Sequence, residues 1–62
     1  MDAFEVITFQ INEQIQSINE AITSGRPTTF DEYKRLCGEV RGLLFARDIV
    51  KDLKNKMENS DD

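Results

Sequence analysis

Cys37 is the strongest nucleophile in the sequence, and what a thiol can do depends on what stands near it. Thiol catalysis needs a neighbouring base to generate the thiolate, most often an imidazole, and the chain contains no histidine. A single cysteine also cannot close an intramolecular disulfide, and alone it cannot assemble a structural zinc site. No phosphate-cradling glycine loop and no metal-ligand cluster appears elsewhere. The expectation is a chain that is not an enzyme, with no catalytic, cofactor-binding or metal residues, in which Cys37 serves as a small buried hydrophobe beside the core.

The other chemistry on offer is charge. Of the eight basic residues, all lie between Arg26 and Lys56, where they alternate with acids and lack interleaved aromatic residues. With a pI near 4.6, this pattern disfavours direct nucleic-acid binding. Residues 1–24 carry Asp2, Glu5, Glu13 and Glu20 with no base, and Glu58, Asp61 and Asp62 make an acidic end. An acidic first half and a basic second half attract each other if the chain folds back on itself.

The elements that would do so are two helices. Phe4, Ile7, Ile11, Ile15, Ile18 and Ile22 recur at spacings of three and four, one apolar stripe on a helix over about 3–23. Asp2 with Glu5 three residues later has the spacing of a capping box, and Ser24-Gly25 is a stop signal. Residues 24–28 form a short turn, in which Pro27 disfavours helix at Arg26; short connections make helices antiparallel neighbours. A second helix is expected over about 29–57, capped by Thr29 with Glu32 reaching back. Leu36, Leu43, Val50 and Met57 sit seven apart, with Ala46 and Leu53 at the companion position, a short heptad seam. Ile11, Ile15, Leu36, Val40 and Leu43 form the expected intramolecular core, and Arg47, on the same face, is expected to pair with Glu13 or Glu20 or to extend its charge to the rim. Residues 58–62 read as an acidic polar tail. The fold class is all-α, an antiparallel two-helix hairpin.

At 62 residues such a hairpin buries only about 60% of its unfolded surface. Disulfides and zinc being out of reach, oligomerisation or docking on a larger protein is left to complete it. The residues off the two stripes indicate where. Val6 and Phe9 on the first helix, and Phe45 and Ile49 on the second, face away from the seam. Gly38, Gly42 and Ala46 are spaced by four on that outer side of the second helix, each glycine costing ~1 kcal/mol relative to alanine. Either the helix bends or breaks at Gly38, or the bare strip lets another helix approach closely, within the hairpin or between subunits. Val6, Phe9, Gly38, Gly42, Phe45, Ala46 and Ile49 are therefore the expected protein interface.

No apolar run approaches the ~18 residues a bilayer requires, and the first residues lack the basic flank of a signal peptide. With a lone thiol, this points to a cytoplasmic chain that contacts no membrane. Tyr33-Lys34-Arg35-Leu36-Cys37-Gly38-Glu39-Val40-Arg41-Gly42-Leu43, continuing through Ala46-Arg47-Asp48-Ile49, resembles a pattern in short helical proteins of tailed bacteriophages, some encoded among head and portal genes. The resemblance covers about the second half of the chain and transfers no functional residue. It implies a phage structural or assembly protein, found in the host cytoplasm during infection or in the virion. Its partners would be further copies of itself and a larger phage or host protein. The alternative is a small phage-encoded inhibitor of a host protein, its acidic first helix and tail imitating nucleic-acid charge.

Overall fold

The computed structural model describes residues 1–59, and in it the chain is an antiparallel pair of helices, α1 (Ala3–Thr23) and α2 (Phe30–Asn59), packed on each other. Among the described residues there is no strand.

Local chemistry sets each boundary. The Asp2 carboxylate accepts from the Glu5 amide at 2.8 Å, satisfying one of the free donors of the first turn of α1. At the other end Gly25 adopts a left-handed φ of 81°. This lets its amide reach the Ile22 carbonyl at 3.2 Å and the Arg26 amide reach Ala21 at 3.1 Å. That pair of reversed bonds is a Schellman termination, which glycine adopts without a Cβ clash.

α2 opens on the expected cap. The Thr29 hydroxyl accepts from the Glu32 amide at 3.1 Å. The Glu32 carboxylate reaches back one residue further than a capping box requires, accepting from the Thr28 amide at 3.0 Å. Thr29 is thus the cap and Phe30 the first helical residue. α2 also runs two residues past the expected end, so Glu58 and Asn59 belong to the helix. The rest of the expected acidic tail, 60–62, lies outside the described residues. α2 is continuous through Gly38 and Gly42, without the break considered for Gly38.

The seam is narrow. Phe4, Ile11, Ile15 and Ile18 of α1 meet Leu36, Val40, Leu43 and Val50 of α2, and each is only half-buried. No described side chain is fully buried. Three residues expected in the seam lie outside it: Ile7 is 42% exposed, Leu53 48% and Met57 55%. Two helices meet along a single line, and a residue about 60° or more off that line looks past its neighbour into solvent. Cys37, expected to be buried, is likewise half-buried.

The outcome is a rod of 52 × 19 × 11 Å. Its surface of 4974 Å² exceeds the roughly 4,100 Å² typical of a compact monomer of this mass. Its radius of gyration of 14.9 Å exceeds the ~11 Å of a compact domain of this length.

Candidate protein interface

Polar latches hold the two helices in register. At the open end Lys54 of α2 lies 3.2 Å from a Glu5 carboxylate oxygen and 3.5 Å from Asp2. The acidic start and the basic second half therefore do meet, as the charge asymmetry suggested. Hydrogen bonding to Glu5, helped by the charge of Asp2, raises the Lys54 pKa. The Glu5 amide, with lesser help from Lys54, lowers that of Asp2. Two turns along, Arg47 donates to the Asn12 side-chain oxygen at 2.6 Å. The expected partners Glu13 and Glu20 do not take this role. At about 100° per residue both carboxylates point to the far side of α1, whereas Asn12 overhangs the groove.

That groove, along one side of the seam, is lined by Phe4, Phe9, Asn12, Arg47, Lys51 and Lys54 among others. It is an open trough, and among the described residues no group of His, Cys, Asp or Glu side chains could hold a metal ion. Cys37 stands beside Tyr33, whose hydroxyl pKa is raised by hydrogen bonding to the thiol.

The seven expected interface residues do not form one surface. Phe9, 55% exposed, flanks the groove beside Arg47 and Lys51. Val6 lies on the side of α1 turned away from α2. Gly38, Gly42, Phe45 and Ile49 do share one face, the outer side of α2, with half-buried Ala46 at its edge toward the seam. Phe45 and Ile49 are 66% and 65% exposed. A Cβ built on Gly38 or Gly42 meets nothing within 4 Å, so the glycines do not serve close packing inside the hairpin.

Sequence reasoning missed Leu53, which continues the outer stripe one turn beyond Ile49. Its heptad spacing assigned it to the seam. The available signal was its angular position, about 100° from Leu36, too far round to be covered by one neighbouring helix.

No protein-family model, no curated protein and no solved structure matches this chain. The class is therefore defined by fold and surface alone: an all-α hairpin with an unpartnered apolar face. No helix among the described residues is long and apolar enough to cross a membrane.

Proposed function

We propose that this hairpin is a structural or assembly component of a phage particle, acting by helix-to-helix contacts with other protein and not by catalysis. The observation that carries the contact role is the absence of any fully buried side chain among the 59 described residues. A fold that leaves Phe45, Ile49 and Leu53 on one exposed stripe gains further apolar burial when another surface covers them. The phage setting rests on the resemblance of residues 33–49 to short phage helical proteins. The hairpin would occupy the host cytoplasm during infection and be incorporated into the particle.

Quantitative mass spectrometry of purified particles of the encoding phage tests this. Many copies per particle are expected. Absence from the particle overturns the structural role and favours the host-directed inhibitor.

A further inference from the structure

We propose that the outer face of α2 pairs with the same face of a second copy, antiparallel, in a register that sets Phe45 over Gly42. This rests on the reading of the hairpin as a protein-contact module and names the partner of that face.

With about 100° per residue, Asp31, Gly38, Gly42, Phe45, Ile49 and Lys56 fall in one strip opposite Leu36 and Leu43. Its middle holds two hollows, where a Cβ would meet nothing within 4 Å, next to two side chains about two-thirds exposed. Protrusions and hollows belong to the same helix, so a copy turned end for end fits the one to the other. Phe45 covers Gly42 of the second copy, Ile49 covers its Gly38, and the two-fold axis repeats both contacts in reverse.

The charges select this arrangement. The same register puts Asp31 opposite Lys56 and, along one edge, Asp52 within one residue of the level of Lys34, each pair occurring twice. None of these four takes part in an intramolecular ion pair among the described residues, and the Lys34 ammonium sits 5.4 Å from the Phe30 ring centroid. Sliding the copies by one turn brings Asp31 against Asp52 in one direction and Lys56 against Arg35 in the other. A parallel pair in register sets every charge against its own kind. Exposed charges fix orientation and register more than affinity, and the apolar strip supplies the attraction.

Disulfide trapping tests the geometry. In a Cys37→Ser background, one chain carries Asp31→Cys and another Lys56→Cys. Mixed and oxidised, the two are expected to link to each other, and neither is expected to link to itself. Self-linking of the Asp31→Cys chain shows a parallel pair and overturns the proposal, as does failure of the mixture to link. By sedimentation equilibrium the wild-type chain should be dimeric at micromolar concentration. Gly42→Leu should weaken the dimer by about tenfold or more with helicity retained, since leucine favours helix over glycine. Lys56→Asp should weaken it, and Asp31→Lys in the same chain should restore it. A wild-type chain that stays monomeric overturns self-pairing. The wider contact role is decided separately, by the copy number in particles.

Discussion

Arg47 and Asn12 join the two helices by a charge-assisted hydrogen bond of 2.6 Å between residues 35 positions apart in sequence. An arginine so close to the seam would otherwise leave its guanidinium against apolar neighbours, and the asparagine oxygen gives it a partner at the rim. Asn12→Ala is expected to lower stability by about 1 kcal/mol, because the bond is partly open to water. Arg47→Ala should cost more, since it also removes the side-chain stem from the groove. Thermal melts followed by circular dichroism, run as a double-mutant cycle, measure the coupling; additive losses would mean that the bond contributes nothing.

Leu43→Ala removes a half-buried side chain from the middle of the seam. Full burial would put the loss at 2–5 kcal/mol; partial exposure places it near the lower end. For a hairpin of this size that is a large part of the total stability, so thermal melts of the variant followed by far-ultraviolet circular dichroism should show a clearly lowered midpoint. Phe45→Ser, on the outer face, should leave the isolated hairpin's helicity nearly unchanged.

The Lys54 clamp makes the open end pH-sensitive in both directions. The folded pKa of Asp2 is lowered, so its contribution is present above the ordinary value of 3.8 and fades as pH falls through the lower folded value. The folded pKa of Lys54 is raised, so its contribution holds below 10.5 and fades as pH rises through the higher folded value. The protection of amides at the start of α1, taken relative to the intrinsic exchange rate at the same pH, should be greatest between those limits and smaller outside them. Lys54→Met should abolish the alkaline limb.

Gly25→Ala tests the turn. A φ of 81° is strained for any residue with a Cβ, at a cost of about 1–2 kcal/mol. Nothing lies within 4 Å of the added atom, so the loss reports backbone strain alone. A midpoint equal to wild type would show that the turn relaxes to a right-handed geometry.

The bounds of α1 were legible because each terminus is encoded locally: Asp2 caps, Gly25 reverses, and both act on amides within four residues. The antiparallel topology followed from the brevity of the turn. The width of the seam was not legible, because the periodicity of Ile7, Leu53 and Met57 reports an apolar side without saying how much of it one neighbour can cover. The charge of Arg47 does reach the rim, as one alternative had it, but its pairing with Glu13 or Glu20 was misread for a similar reason. Opposite charge nominated Glu13, but rotation about the α1 axis decides which residue overhangs the groove. The interface set mixed residues from separate sides of the rod, since exposure could be inferred helix by helix while the relation between the helices could not.

A fold with no fully buried side chain among the described residues uncovers less new apolar surface on unfolding than a compact domain and so gains less heat capacity, and proteolysis of such a fold tracks the population of its open form. Any surface that binds only the folded hairpin shifts that balance in proportion to its own concentration. Under the proposed contact role, copies without a docking place would be degraded and docked copies would persist. The abundance of the chain would then follow the number of places waiting for it.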